Sequence, residues 1–450
     1  MKKPFSKLKE AIGPVPRSQL ILSFGIALLL AFLALNTDLF RVEAFFYDFR
    51  MRLKGNEAPS SEILLLPLGD KPLEGTASID SIATHRVVLE KLIAQKPKAI
   101  VYLNRFDPAE IDARPAEAEG FVALAREAER QGIRIYLGSD VDLSGEVLPA
   151  YPLSLLPHYP SILHKDGTMF AEDKVMRRTL LTAFGKPTIH LRAAYPNLSD
   201  AELMAHVPQV RGAYYYKEAD AYHVLIRFPR NTAVATHGFA QLSFSDAYEG
   251  KDLSRAAGKI ILVETMRKEP MNDYAYTPYS RDTYTNPRLA VHAASLDSLL
   301  KDAGIVLMSR NFDAGLTFVL ALTLAFVGIT MRPSRGIVAL FILSISLFLA
   351  SLFIFWLGFS VRLVHPLLAM FFTYYLIVPY RAIFEYKKRW EVQEKHDILV
   401  QVEEMKGNFL SLMSHDLKTP VAQIQGLAEL VLRQGNLKVE QQEEMRQILE

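Results

Sequence analysis

Four long apolar blocks constrain the fold of this chain more than any other feature of its sequence. They occupy 19–36, 314–331, 336–358 and 363–380. At about 1.5 Å per residue, helices of this length cross a hydrocarbon core of about 30 Å. A cleaved signal peptide is the alternative for the first block, and buried core helices for the others. The first block is long for a signal peptide and no cleavage pattern follows it, and core helices usually keep a polar face, so we expect four transmembrane helices.

Lysine and arginine residues predict the orientation of these helices. They cluster in the N-terminal tail 1–18, in the short connection 332–335, and at 381–389 after the fourth block. Positive residues favour the cytoplasmic side of a membrane. The pattern therefore predicts a multi-pass protein with both termini in the cytoplasm and the segment 37–312 outside.

Composition excludes several kinds of function. The net charge is +2 over 450 residues, without a basic stripe, so nucleic-acid binding is not predicted. The chain has no cysteine, which rules out disulfides and thiolate sites. The segment 37–312 has no P-loop, GxGxxG or HExxH motif, so we expect no metal site. Its scattered histidines are interpreted as structural or surface residues: His85, His164, His223, His237 and His292.

The segment 37–312 has the pattern of an α/β domain with a largely parallel sheet. Apolar runs predict strands at 62–68, 98–103, 133–138, 222–228 and 259–264. Amphipathic patterns predict helices at 81–95, 115–131 and 288–303. Between them, 164–178 carries an Asp166-Gly167 turn and is interpreted as a solvated hairpin, with a ligand or interdomain contact as the alternative.

The order of these parts resembles the CHASE2 family of bacterial extracytoplasmic sensor domains. The segments that carry the resemblance are FFYDFRMRL (45–53), GKIILVETMRKEPMNDYAYTPYS (258–280) and NPRLAVHAASLDSLL (286–300). The resemblance implies a bacterial inner (cytoplasmic) membrane protein that senses an external signal, whose identity the sequence does not give. The family tends to carry acidic residues after its first two core strands, whereas this chain keeps only Asp70 near the first strand and Asn104 at the second.

The cytoplasmic part begins with a short coiled-coil linker at 381–407. Apolar residues recur at alternating spacings of four and three, at Ile398, Val402, Met405, Phe409 and Leu412. A seam of this kind needs a partner helix, so it predicts a parallel homodimer. The alternative is a single amphipathic helix that folds back on its own domain.

The last segment, 408–450, contains the sequence SHDLKTP at 414–420. At about 100° per residue, His415 lies about 200° from Met413 and Leu417 of the apolar stripe, so it is predicted to point to solvent. Pro420 is expected to weaken the helix beside it. Gly435-Asn436 is expected to end the helix, and a second helix to follow and complete a hairpin.

This segment resembles the H-box of HisKA-type histidine kinases, whose hairpins form a four-helix bundle in the dimer. A neutral imidazole is a suitable phosphoryl acceptor, so His415 is predicted to be the phosphoacceptor. Asp416 is predicted to act as a general base on the other ring nitrogen. The resemblance implies that Thr419 positions a water for dephosphorylation, that a response regulator is the partner, and that ATP and Mg²⁺ are bound by a domain outside these residues.

The sequence therefore predicts a multi-domain membrane protein: an extracytoplasmic α/β sensor domain, four transmembrane helices, and a cytoplasmic coiled coil leading into a helical hairpin. No nucleotide-binding motif follows His415, which favours a truncated sensor histidine kinase. One alternative is a non-enzymatic receptor or phosphotransfer protein that lacks its own ATP-binding domain. A transporter is disfavoured, because the apolar blocks contain almost no polar residues.

Overall fold

The computed structural model describes residues 17–69, 73, 78–142, 145–167, 170–229, 238–267, 273–282, 284–433, 435–436 and 438–447. The chain divides into two compact units, Met1–Tyr374 and Tyr375–Glu450. Two residues singled out in the sequence, Asp70 and His237, lie outside the described residues.

The helices follow the predicted periodicity closely. They are α1 (Arg17–Asn36), α2 (Phe40–Leu53), α3 (Ile82–Ile93), α4 (Pro108–Ala113), α5 (Pro115–Arg130), α6 (Ile189–Ala194), α7 (Asp200–His206), α8 (Phe244–Glu249), α9 (Arg288–Leu300), α10 (Arg310–Thr330), α11 (Pro333–Trp356), α12 (Val364–Arg433) and α13 (Val439–Gln447). Among the described residues, four helices are long and apolar enough to cross a membrane: α1, α10, α11 and α12. Their number and orientation as membrane spans stay a prediction.

Within the described residues, the strands form one large sheet and three small ones. They are β1 (Ile63–Leu68), β2 (Ala99–Tyr102), β3 (Arg134–Asp142), β4 (Gly145–Val147), β5 (His158–Pro160), β6 (Arg178–Leu180), β7 (Thr182–Ala183), β8 (Lys186–Pro187), β9 (Tyr214–Tyr216), β10 (Ala221–Leu225), β11 (Ala240–Gln241), β12 (Ile260–Thr265), β13 (Val306–Leu307) and β14 (Phe359–Ser360). The large sheet has the order β11-β1-β12-β2-β3-β4, and β5 also pairs with β3. All its pairings are parallel except that of β3 with β4, which confirms the predicted largely parallel sheet.

Helices cover both faces of this sheet, which explains why its strands are apolar runs rather than alternating patterns. Every residue of β1 and β2 is buried. On one face, Leu64 and Ile100 join a core with side chains of α3 and α5. On the other face, Leu65 and Val101 join a core with side chains of α2, α6 and α9.

One predicted strand belongs to another sheet. The strand predicted at 222–228 is β10, and it pairs antiparallel with β6 and β9 in a separate three-stranded sheet. Only four residues separate β9 from β10, and a connection this short joins antiparallel strands, whereas parallel strands need a long crossover.

The interpretation of 164–178 as a solvated hairpin is wrong. The Asp166 and Arg177 side chains are 0% and 1% exposed. Arg177 binds Asp48 of α2 with its Nε and Nη2 atoms at 2.6 and 2.8 Å from the two carboxylate oxygens. It also donates to Asp166 at 2.9 Å and to Asp173 at 2.6 Å. The acidic residues and the arginine make one buried ion-pair cluster that joins this loop to α2.

The second unit contains the rest of α12 and then α13. The helix α12 includes Pro379 and Pro420 and ends at Arg433. Gly435 has a φ of 65°, a left-handed conformation that glycine adopts readily, so the predicted end of the helix is confirmed. The predicted second helix is α13, Val439–Gln447.

Candidate functional site

The three predicted site residues of the H-box lie together on α12. The His415 and Asp416 side chains are 82% and 79% exposed, and His415 Nδ1 is 3.6 Å from Asp416 Oδ1. This separation is within ion-pair range but too long for a hydrogen bond. The helix therefore presents an accessible imidazole with a carboxylate beside one of its nitrogens.

Thr419 lies one turn further along the same face of the helix. Its hydroxyl donates to the backbone carbonyl oxygen of His415 over 3.4 Å. Threonine makes this bond to the preceding turn in many helices, where it satisfies the hydroxyl locally. This hydrogen bond goes to the backbone of His415, so the Thr419 hydroxyl occupies neither ring nitrogen.

Apolar side chains on this part of α12 are uncovered in the single chain. The predicted seam residues are all at least half exposed: Ile398, Val402, Met405, Phe409 and Leu412. Leu417, Val421 and Ile424 of the neighbouring stripe are between 50 and 58% exposed. A row of large apolar side chains this exposed marks an interaction surface.

A second candidate site lies in the first unit, at the carboxyl edge of the parallel sheet. The chain leaves β2 toward the face covered by α5 and leaves the adjacent β12 toward the face covered by α9. Neighbouring strands whose connections diverge in this way leave a crevice between them, where α/β proteins bind ligands. A cleft of about 540 Å³ opens here, and its charged or amide-bearing lining residues are Asn104, Arg105, Asp107, Asp140, Lys165, Glu264 and Arg288.

The lining residue Glu264 lies close to two buried histidines, and this group was not predicted. His190 of α6 and His292 of α9 stack, with 2.6 Å between His190 Nε2 and His292 Nδ1. His292 Nε2 lies 3.6 Å from Glu264 Oε1 at the end of β12. Burial, reinforced by the neighbouring His292 ring, holds the pKa of His190 well below its usual value, so that this ring is neutral.

The structure places three of the histidines singled out in the sequence in the interior. His85, His223 and His292 are buried, with at most 2% of each exposed, and their interpretation as structural or surface residues rather than ligands stays a prediction. His190 and Glu264 were not predicted as site residues from the sequence. A carboxylate that ends an otherwise apolar strand was the available signal for Glu264. Among the residues that the structure describes, no group of three or more histidine, aspartate or glutamate side chains is placed to hold a metal ion.

The chain has a ligand-sized cleft in an α/β domain flanked by apolar helices, and an exposed histidine on a long helix. The family model of the CHASE2 domain matches residues 26–330, and the chain belongs to this family. The model of the His Kinase A (phospho-acceptor) domain matches 405–450, which includes His415. No curated protein and no solved structure matches the chain.

These two domains support a sensor histidine kinase of a two-component system. CHASE2 is an extracellular sensor domain, and the apolar helices are consistent with its insertion in a membrane. The phosphoacceptor domain implies dimerisation and a response regulator as partner. Histidine kinases use ATP and Mg²⁺ in a kinase domain, and neither matched range covers such a domain.

Proposed function

We propose that an external signal, sensed by the first unit, controls ATP-dependent phosphorylation of His415 and transfer of the phosphoryl group to an aspartate of a response regulator. The observation that carries this proposal is the 82% exposed imidazole of His415 inside the matched phosphoacceptor segment. A histidine kept for packing would lie on the apolar stripe of the helix. This one lies on the opposite, solvated face, where a kinase domain and a response regulator can reach it.

The residues around His415 suit nucleophilic attack on a phosphorus atom. A neutral ring nitrogen attacks the γ-phosphorus of ATP, the N–P bond forms, the bond to the bridging oxygen breaks, and ADP leaves. The other ring nitrogen is left with a proton that becomes more acidic. Asp416 Oδ1, 3.6 Å from Nδ1 in this structure, accepts that proton or stabilises the imidazolium.

Contacts at the start of α12 supply a route for the signal. Glu43 of α2 accepts hydrogen bonds from the backbone N–H groups of Leu363 and Val364, at 2.9 and 3.1 Å. Arg50 of α2 donates to the carbonyl oxygen of Val361 at 2.7 Å. α2 also carries Asp48, whose carboxylate accepts a hydrogen bond from Arg177. A shift of α2 therefore acts directly on the beginning of the helix that carries His415.

The proposed setting is the bacterial cytoplasmic membrane, with the first unit's α/β domain outside and His415 inside. The lysine and arginine residues that flank the apolar helices, at 1–18, 332–335 and 381–389, support this orientation. The proposed assembly is a homodimer through α12, because the seam residues have no cover in the single chain.

A phosphotransfer assay tests the proposal. The full chain in lipid nanodiscs is incubated with radiolabelled ATP and the catalytic domain of a HisKA-type kinase supplied in trans. We expect an acid-labile, base-stable label that His415→Gln removes. His396→Gln is the matched control, because His396 is an exposed histidine of the same helix outside the H-box. Label that persists in the His415→Gln variant would contradict the assignment.

Thr419 is tested in the reverse reaction. If its hydroxyl positions a water, Thr419→Ala leaves phosphorylation of His415 unchanged and slows removal of phosphate from the response regulator. Thr419→Ser keeps a hydroxyl and should restore that removal. Equal dephosphorylation by the wild-type, alanine and serine chains would exclude the role.

A further inference from the structure

The cleft at the carboxyl edge of the sheet contains two cationic side chains, Lys165 and Arg288, that are at most loosely paired with the described residues. Lys165 forms no hydrogen bond or ion pair with any described residue, and it lines the cleft beside Arg288. Partial burial and then the charge of Arg288 lower the pKa of Lys165, whose side chain stays solvent-accessible. The nearest carboxylate contact of Arg288 is a loose one, with its Nε atom 3.7 Å from Glu264 Oε1. Two neighbouring cations of this kind attract an anionic group.

The same cleft contains buried acceptors that lack a donor. Glu264 is 3% exposed, and its Oε2 atom has no hydrogen-bond partner among the described residues. The Oδ1 atom of Asn104 is also buried and has no hydrogen-bond partner among the described residues. Arg288 and His292 both approach the other oxygen of Glu264, Oε1, at 3.7 and 3.6 Å. Leaving a buried acceptor unpaired costs free energy, so the cleft is suited to a ligand that brings a hydrogen-bond donor.

The balance of charges in the lining restricts the kind of ligand. Three cationic side chains, Arg105, Lys165 and Arg288, oppose three carboxylates, Asp107, Asp140 and Glu264. A phosphate dianion would meet repulsion from the carboxylates, and a plain diamine would meet repulsion from the cations. A molecule that carries one group of each sign matches both halves of the cleft.

We propose that this cleft binds a small zwitterion of the amino-acid class. Its carboxylate is bound by Lys165 and Arg288, and its ammonium group donates to Glu264 and Asn104. The volume of about 540 Å³ holds such a molecule together with water. That the bound molecule is the signal of the kinase rests on the proposed function, whereas the binding itself does not.

Ligand-observed saturation-transfer NMR on the full chain in nanodiscs, without ATP, tests the proposal. The probes are the proteinogenic amino acids. Lactate and malate are tested for comparison as hydroxy acids without an ammonium group, and inorganic phosphate as a simple anion. We expect an amino acid to bind and the hydroxy acids and phosphate not to. Because each substitution removes one charged contact, Lys165→Met and Glu264→Gln should each raise the Kd of the bound amino acid at least about tenfold.

The matched control is Lys217→Met, an exposed lysine outside the cleft, and it should bind like the wild type. Lys165 is exposed, so its variant folds even if Glu264→Gln disturbs the core. The proposal is overturned if no amino acid binds the wild-type chain, if Lys165→Met binds as tightly as the wild type, or if lactate, malate or phosphate binds and amino acids do not. Such a failure leaves phosphorylation of His415 intact, and loss of that phosphorylation leaves this binding intact.

Discussion

The buried cluster around Arg177 gives a quantitative prediction about the stability of the first unit. The guanidinium is 1% exposed and binds Asp48, Asp166 and Asp173. Arg177→Met removes the charge and keeps much of the volume, so it leaves buried carboxylates with less compensation. Removing one partner of a buried ion pair costs about 3–5 kcal/mol. Arg178 still binds Asp166 at 2.8 Å, which favours the lower end of that range.

Thermal unfolding of the full chain in nanodiscs, followed by near-UV circular dichroism, measures this loss. At roughly 2–4 °C per kcal/mol for a domain of this size, we expect Tm to fall by about 6–12 °C. Arg126→Met, at an exposed arginine of α5, is the control and should stay within about 0.5 kcal/mol of the wild type. Adding Asp48→Asn to Arg177→Met should recover part of the loss. A Tm drop of less than about 2 °C in the single variant would refute the reasoning.

The pH dependence of this cluster follows from Asp173. Burial raises the pKa of Asp173, but hydrogen bonds from Arg177 and its charge outweigh burial and lower the pKa below its usual value of 3.8. A carboxylate with a lowered pKa stabilises the fold above its unfolded pKa, and this contribution is lost as the pH falls through the folded pKa. The stability difference between wild type and Arg177→Met should therefore narrow below about pH 4. A gap that stays constant from pH 6 to pH 3 would contradict this assignment.

Three further predictions address other parts of the chain. Ile398→Asp with Phe409→Asp should abolish cross-linking between subunits below the membrane, and unchanged cross-linking would place the dimer contact elsewhere. Alkaline phosphatase fusions should be active at Ser254 and inactive at Lys406, and equal activity at both would exclude the topology. Gly138→Ala should cost about 1–3 kcal/mol, because a Cβ there would lie 2.6 Å from a backbone carbonyl oxygen, and denaturant unfolding measures it.

The sequence predicted the large sheet well because its strands have a local signature. Continuous apolar runs such as 62–68 occur where both faces of a strand are covered, and the structure places β1 within the same residues. The separate sheet of β10 was not predicted, because strand partners depend on contacts between distant residues. For the same reason, the burial of Arg177 was missed. Its main partner, Asp48, is 129 residues away in the sequence, so no local pattern reveals the ion pair.

The H-box site on α12 and the cleft site at the edge of the sheet also differ in how well the sequence predicts them. The exposure of His415 follows from its position relative to Met413 and Leu417 on one helix, and periodicity predicts that directly. Glu264, His190 and His292 come from a strand and two different helices, so their proximity is a property of the folded domain. A single sequence identifies a site built on one helix much more readily than a site assembled at the edge of a sheet.

Arg177 and Asp416 are both charged, but we expect Arg177 to contribute to stability and Asp416 to contribute to reactivity. An ion pair that is about 80% exposed, such as His415 with Asp416, contributes little to the free energy of unfolding. Asp416→Asn should therefore leave the melting curve unchanged, since asparagine and aspartate have similar helix propensities. If Asp416 is the proton acceptor, the variant should phosphorylate about 10²–10⁴-fold more slowly. Asp397→Asn, an exposed carboxylate on the same helix, should phosphorylate at the wild-type rate. If Asp416→Asn also does so, Asp416 belongs to the solvated surface and His415 alone carries the chemistry.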